Sequence, residues 1–284
     1  MPARRLRLVL ASLATTVVAA TVVGVLLWAS AHPSNRRAWV TEQGAMPAAR
    51  FTGHVVQVDS VRDFAYTARD RFTPAYDTRR YDLDKLTGVW FVLTPFAKSW
   101  RGPAHSFLTF GFADSQFVSI SVEARRETGE TYGPFAGLFE QYDLIYVVGD
   151  ERDVIGQRAA FNDYPVYLYP IRAPRDSIRR VFVEMLARAN RLRAQPEFYN
   201  TLTNNCTSNV VDHVNSVAPG TVPASWKTVL PGYTDDVALK LGLIDTKLGL
   251  DAARERFRIN DAARKAMGHK DFSIQIRQER MASR

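Results

Sequence analysis

Hydrophobic and polar residues follow two different spacings along this chain, and the spacings predict its strands and helices. Alternation with a period of two predicts strands over 52–58, 88–94, 105–112, 117–124, 144–149 and 164–171. Helical spacing predicts a long helix from Asp176 to Gln195, a short helix after Cys206 and another from Asp235 to Leu241. Residues 62–76 are aromatic and charged and are predicted to be loop. Because strands precede helices as groups, the pattern predicts an α+β fold.

Two terminal segments depart from this pattern. The run from Leu8 to Ala29 carries no charge and follows three arginines within residues 4–7, which predicts an uncleaved transmembrane anchor with a cytoplasmic N-terminus. The alternative is a cleaved signal peptide ending at residues 29–31. At the other end, the charged residues 250–284 are predicted to form a helix and an extended tail.

The anchor predicts a division of the chain into three parts. Residues 1–31 would be a cytoplasmic stub and the anchor, residues 32–50 a tether, and residues 51–284 one main domain. With a positively charged flank inside, this main domain would lie in the periplasm. The expected location is therefore the inner (cytoplasmic) membrane, crossed once.

Composition, charge and the motifs that are missing argue against several classes of function. Hydrophobic residues make up 46% of the 284 positions, enough to form a core. The net charge is +8, but the basic residues are dispersed without an aromatic-interleaved stripe, so nucleic acid is not an expected partner. The five histidines show no metal-binding spacing, and the chain has no phosphate-binding glycine motif and no G-x-S-x-G. No metal and no cofactor are therefore expected.

The only cysteine of the chain, Cys206, follows two asparagines within the polar stretch 199–209. Asn204 and Asn205 favour a turn or a helix N-cap, which would place the thiol in the first turn of the following helix. Unpaired N–H groups and the helix dipole favour a thiolate there. The alternative is a cysteine that serves as a small buried hydrophobic residue.

His105 begins one strand of a predicted hairpin whose turn lies at residues 111–116. Because residues 105 and 123 are equidistant from the centre of that turn, Glu123 is expected close to His105. We predict Cys206 as a nucleophile and His105 as its base, with Glu123 either orienting His105 or standing as a solvated carboxylate. His213, two helical turns after Cys206, is predicted to be a structural or surface residue.

Five stretches together resemble the family of the Lnb N-terminal periplasmic domain, which is related to the lipoprotein N-acyltransferase Lnb. They are His105-Ser-Phe-Leu-Thr-Phe, Ser119-Ile-Ser-Val-Glu-Ala-Arg, Tyr146-Val-Val-Gly-Asp-Glu-Arg-Asp, Pro196-Glu-Phe-Tyr-Asn-Thr-Leu-Thr-Asn-Asn-Cys-Thr-Ser and the tail segments 259–264 and 271–277. The resemblance implies a permuted NlpC-type papain-like fold, an antiparallel sheet packed against helices. It also implies Cys206 as nucleophile, His105 as base and Glu123 as a third polar member.

The function expected from this resemblance is a membrane-anchored, cysteine-dependent acyltransferase. It would move an acyl group from a phospholipid or lipoprotein through a thioester to an amine, so its partners would be these lipids and the membrane. One alternative is an NlpC-like peptidase or amidase acting on cell-wall peptides with the same residues. Another is an envelope binding protein without catalysis.

Overall fold

The computed structural model describes residues 10, 13–24, 32–96, 100–162 and 164–278. The chain divides into two compact units, Met1–Ser34 and Asn35–Arg284. In the first unit residues 13–24 are helical and form α1. Within the described ranges, no helix is both long enough and apolar enough to cross a membrane. Both ends of the apolar run 8–29 lie outside the described residues.

The second unit is built on a mixed sheet that has eight strands among the described residues. Its order is β1-β2-β9-β8-β7-β6-β10, and β5 also pairs with β2. The strands are β1 Ala48–Thr52, β2 Val55–Arg62, β5 Tyr76–Asp82, β6 Leu86–Pro95, β7 Ala104–Phe112, β8 Phe117–Arg125, β9 Asp143–Gly149 and β10 Tyr167–Pro170, with a separate hairpin of β3 Ala65–Ala68 and β4 Arg71–Thr73. All pairs are antiparallel except β2 with β9, which are parallel at Arg62 and Gly149.

Helices pack on both faces of this sheet. The helices are α2 Pro134–Leu138, α3 Glu151–Val154, α4 Gly156–Phe161, α5 Arg175–Ala194, α6 Cys206–Val217, α7 Trp226–Val229, α8 Thr234–Lys240, α9 Leu250–Phe257, α10 Asn260–Ala266 and α11 Phe272–Gln278. On one face, the α5 ring of Phe182 packs 4.9 Å from that of Phe110 in β7. On the other face, Thr109 of the same strand donates to Glu151 of α3 at 2.5 Å.

The fold class predicted from the pattern is confirmed in its α+β character, and several local predictions change. The sheet is mixed rather than wholly antiparallel because of the β2–β9 pair. The predicted strand 52–58 is two strands, because Gly53 adopts a φ of 57° and turns the chain. The predicted loop 62–76 contains β3 and β4, which are too short for alternation to reveal.

The segments next to the main domain are also part of its packing. In the predicted tether, Gln43 and Met46 are buried and Ala48 begins β1. The predicted C-terminal tail is helical as far as Gln278. Arg277 of α11 bonds both oxygens of the buried Glu151, and its guanidinium lies 4.1 Å from the ring centroids of Trp90 and Phe117. This contact fixes α11 to the sheet.

Arg62 at the end of β2 and Asp153 in α3 form a deeply buried ion pair. Two nitrogens of Arg62 donate to Asp153 at 2.9 and 2.8 Å, and the side chains are 5% and 0% exposed. Asp153 also accepts the Phe64 N–H at 2.8 Å. The pair therefore links the β2 edge to the helical layer.

We predict that Asp153→Ala lowers the free energy of unfolding by about 3–5 kcal/mol, because it leaves the Arg62 guanidinium buried without its counter-charge. Urea denaturation measures this loss. The matched control is Asp245→Ala, which removes a partner of Arg172 in a pair whose side chains are 48% and 64% exposed. The control should cost less than about 1 kcal/mol. Equal losses for the two variants would contradict the prediction.

Candidate active site

Helix α6 begins at Cys206, and the side chain of Asn205 makes that start. Its Oδ1 accepts the backbone N–H groups of Thr207 at 2.8 Å and Ser208 at 2.9 Å. In return, the Asn205 N–H donates to the Ser208 hydroxyl at 2.8 Å, which completes a capping box. The predicted N-cap is confirmed, and the thiol lies in the first turn of the helix.

Two other asparagines of the polar stretch stabilise the backbone just before this helix. Asn200 accepts the N–H groups of Leu202 and Thr203 at 3.0 and 3.2 Å and closes a turn. Asn204 donates to the Phe198 carbonyl at 2.9 Å and accepts the Asn209 amide at 2.9 Å. The amides therefore satisfy local backbone groups and set where the helix starts.

The Cys206 thiol is buried, with 4% of the residue exposed. The Ser106 hydroxyl of β7 lies 4.0 Å from the sulfur and the Thr207 hydroxyl 3.8 Å, while these two hydroxyls are 2.8 Å apart. Burial raises the pKa of the Cys206 thiol, although the surrounding donors of Ser106 and Thr207 oppose it. The resting thiol is therefore protonated, contrary to the thiolate expected from the helix start alone.

His105 belongs to a different polar group. Its Nε2 lies 2.7 Å from the Ser121 hydroxyl of β8 and 3.9 Å from a Glu123 oxygen. Burial, with added repulsion from the Arg158 guanidinium, lowers the pKa of His105 to about 3, and Glu123 only partly offsets this. The imidazole is therefore neutral over the whole physiological range.

Glu123 is the acceptor at the centre of this group. One of its oxygens accepts the Ser121 hydroxyl at 2.9 Å and Arg158 of α4 at 2.8 Å, and the other accepts Gln43 at 3.0 Å. Burial alone would raise the pKa of Glu123, but the charges of Arg158 and Arg62 and the hydrogen bond from Gln43 together outweigh it and hold this pKa well below its usual range. Glu123 is thus an ionised, part-buried carboxylate near His105, rather than a solvated one.

The hairpin register places Leu108 opposite Ile120 and Thr109 opposite Ser119, as the position of the turn predicts. The paired part of the hairpin ends at Leu108 and Ile120, and beyond it the His105 Nε2 lies 3.9 Å from a Glu123 oxygen. The pairing of His105 with Cys206, however, is not formed. Consecutive residues of a strand point to opposite faces, so Ser106 faces Cys206 in α6 while His105 faces β8 and α4. Among the described contacts, no hydrogen bond joins His105 to Cys206.

His213 lies two turns along α6 and is 4% exposed. The Tyr146 hydroxyl lies 2.7 Å from its Nε2 and donates to Asn209 at 2.9 Å. Burial lowers the pKa of His213 to about 4. The residue is structural, as predicted, and joins α6 to β9 through a buried polar contact.

An apolar cavity of about 220 Å³ extends from the residue that follows the cysteine. Thr207, Val210, Val211 and Val214 of α6 form one wall. The remaining walls come from β6, β7, α5, α7 and α8, through Phe91, Leu108, Val181, Thr228 and Val237, among others. Their side chains are nearly all aliphatic or aromatic, so the cavity offers an environment for an apolar ligand.

The sequence pattern did not reveal most of the polar side chains around Cys206 and around His105. Ser121 could have been found, since it lies two residues before Glu123 and therefore on the same face of β8. Gln43 and Arg158 come from distant parts of the chain, and nothing in the local pattern marks them.

Within the residues that the structure describes, no group of three or more His, Cys, Asp or Glu side chains is arranged to hold a metal ion.

Fold and site together define an α+β protein with a capped helix that carries a buried cysteine against a mixed sheet. Residues 72–232 match the family described as the Lnb N-terminal periplasmic domain, and this match covers more than half of the chain. The chain belongs to that family. It is accordingly a periplasmic envelope protein. Neither the curated proteins nor the solved structures include a match to it.

The neutral, buried His105 predicts a specific dependence of stability on pH. An exposed histidine binds a proton below about 6.5, whereas folded His105 does so only near 3. Between these values the unfolded chain holds the extra proton, so the free energy of unfolding falls as the pH falls, by about 1.4 kcal/mol per pH unit from this group. We expect His105→Gln to reduce this slope in urea denaturation series.

His54→Gln serves as the matched control, because the His54 side chain is 67% exposed. It should leave the profile of the wild-type protein unchanged. His213 remains in both variants, so its contribution cancels in the comparison. Identical slopes for wild type and His105→Gln would contradict the placement of His105 in the buried group.

Proposed function

We propose that this protein is a cysteine-dependent acyltransferase that acts on the acyl groups of phospholipids or lipoproteins. The observation that carries the proposal is the apolar cavity whose wall begins at Thr207, next to Cys206. Burial of each methylene of an acyl chain there is worth about 0.8 kcal/mol. A peptide substrate would find few polar partners in such a cavity, so acyl transfer is favoured over cell-wall peptide cleavage.

The proposed reaction has two steps. The Cys206 sulfur loses its proton and attacks the ester carbonyl; the carbon–oxygen bond breaks, and the departing lipid oxygen takes up a proton. An amine then attacks the thioester, the carbon–sulfur bond breaks and the thiol is restored. The N–H groups of Thr207 and Ser208 already bond Asn205. The hydroxyl of Thr207, 3.8 Å from the sulfur, is therefore the proposed donor to the oxyanion.

His105 is the proposed proton acceptor, with Glu123 as its polar partner. In its buried place a pKa of about 3 makes it a weak base, so the proposed role requires that it leave that place; it directly precedes Ser106, which faces the sulfur. To reach the thiol, the first residues of β7 must turn so that the imidazole replaces Ser106 on the α6 side. Donor binding, which opens the buried thiol, is the step at which we place this change.

Membrane attachment is part of the same proposal. The apolar run from Leu8 to Ala29 would anchor the chain in the inner membrane and keep the main domain in the periplasm, where lipid substrates lie within reach. The permuted papain-like arrangement, with the histidine strand before the cysteine helix, is also proposed. It accords with the chain order of His105, Glu123 and Cys206.

A second candidate is an envelope lipid-binding protein without catalysis. It is favoured by the burial and raised pKa of Cys206 and by the placement of His105 on the other face of the sheet. In this case the cavity would hold an acyl chain, and the cysteine would serve as a small hydrophobic side chain.

Acyl transfer predicts a trapped intermediate. Incubation of the protein with phospholipid, without an amine acceptor, should give a mass increase of one acyl group that is located on Cys206 and released by hydroxylamine. Cys206→Ala should give no adduct because it lacks the sulfur. Intact-protein and peptide mass spectrometry measure both results.

Two variants sharpen this experiment. His105→Gln should slow adduct formation if the imidazole accepts the proton, whereas His213→Gln, a change of equally buried type, should slow it much less. Bound but unreacted phospholipid, recovered equally from wild type and Cys206→Ala, would support the binding protein and contradict acyl transfer.

The cavity predicts a dependence on acyl-chain length. Val214 lies about 12 Å along α6 from Cys206, at about 1.5 Å per residue, and faces the cavity. We expect Val214→Phe to lower the rate of adduct formation from palmitoyl donors by about tenfold, because overpacking blocks the far part of the chain. Butyryl donors should react as before. Ser216→Phe, on the exposed side of the same helix, is the control, and equal losses with both donors would contradict the assignment of the cavity.

A further inference from the structure

Four large apolar side chains are exposed on two segments, one of which, α7, also lines the cavity. Phe96 and Trp100 in the connection between β6 and β7 are 42% and 53% exposed, and Trp226 and Val229 of α7 are 60% and 36% exposed. We call these four residues the tryptophan surface. Tryptophan is usually largely buried, and grouped exposed apolar residues mark interaction sites.

Backbone and ring contacts hold the two halves of the tryptophan surface together. The Gly232 N–H donates to the Gly102 carbonyl at 3.1 Å, which ties the β6–β7 connection to the turn after α7. The Tyr233 ring bridges them, with its centroid 5.1 Å from that of Trp226 and 4.7 Å from the Arg101 guanidinium carbon. The Trp100 ring packs over Gly102 so closely that a side chain there would collide with it.

The same elements form part of the cavity wall. Thr228 lies between Trp226 and Val229 in α7 and lines the cavity, as does Thr234, the residue after Tyr233. The cavity continues along α6 to Thr207, beside the thiol. The cavity thus extends from Thr228, between Trp226 and Val229, to Thr207, the residue after Cys206.

Basic residues lie beside the α7 part of this apolar group. Lys240, Arg101 and Lys227 have side chains that are 68%, 36% and 28% exposed. Their acidic partners are less accessible: Asp236 is 13% exposed and Asp235 is fully buried. The outward-facing charge is therefore positive. Exposed tryptophan beside lysine and arginine matches the interfacial zone of a bilayer with anionic lipids.

We propose that the tryptophan surface docks on the bilayer and places the opening of the cavity against the lipid. The two tryptophan rings would enter the head-group region, and the neighbouring cations would face lipid phosphates. An acyl chain could then move from the bilayer into the cavity without crossing water. The docking is independent of chemistry at Cys206, whereas the loading of the cavity rests on the proposed function.

Fluorescence quenching by brominated lipid tests the docking. The full chain is reconstituted into vesicles of phosphatidylcholine and phosphatidylglycerol, with or without bromine on the acyl chains. The emission difference between wild type and Trp100→Phe/Trp226→Phe isolates the two rings, because Trp28, Trp39 and Trp90 are common to both proteins. We expect bromine to reduce this difference emission.

The control is Phe51→Trp, which adds a ring on β1, at the opposite end of the sheet order, where Phe51 is 42% exposed. Its added emission should be unaffected by bromine. Unquenched emission from Trp100 and Trp226, or equal quenching of the ring at position 51, would overturn the proposal. So would self-association in detergent that Trp100→Ser/Trp226→Ser abolishes, since this would assign the surface to a second copy of the chain.

The two proposals fail in different ways. Quenching without any Cys206 adduct would overturn acyl transfer and support docking. An adduct formed from a detergent-solubilised donor, without quenching in vesicles, would support acyl transfer and overturn docking.

Discussion

Strand β7 is buried along its whole length, and its pleat determines which side of the sheet each polar residue serves. Ser106 faces α6 and the thiol, while His105 faces β8 and α4. Leu108 then lines the cavity on the α6 side, and Thr109 bonds Glu151 on the other. Because helices cover both faces of the sheet, the residues on each face of β7 have packed neighbours. A shift of one residue in this strand would therefore exchange the residues that face α6 with those that face α4.

Burial shifts the pKa values of ionisable groups on both faces of β7. At Cys206 the helix start favours the thiolate, but loss of water around the sulfur raises its pKa. Burial would also raise the pKa of Glu123, but the Arg158 guanidinium at 2.8 Å, together with Arg62 and Gln43, outweighs it and keeps the carboxylate ionised. A thiol without a comparable cation close by stays protonated. Activation of Cys206 in the proposed reaction therefore requires a change at the site, which we place at donor binding.

The cavity and the tryptophan surface give the protein a consistent orientation toward its proposed substrate. The cavity is apolar along its length, and the surface beside it combines exposed rings with cations. Charge alone did not indicate this, because the +8 net charge is dispersed along the chain. The contact between Gly102 of the β6–β7 connection and Gly232 after α7 brings these two segments together.

Features that depend on neighbouring residues follow from the sequence alone. The main strands, the long helix α5, the β7–β8 hairpin, the asparagine cap before Cys206 and the family all follow from spacing and motif. Tertiary structure decided what depends on distant segments: the face of β7 on which His105 lies, the partners Gln43 and Arg158, the thiol's burial and the cavity. Local periodicity tells which residues share a face, but it does not tell which face a helix a hundred residues later will cover. That choice depends on packing, and here it separated the histidine from the cysteine.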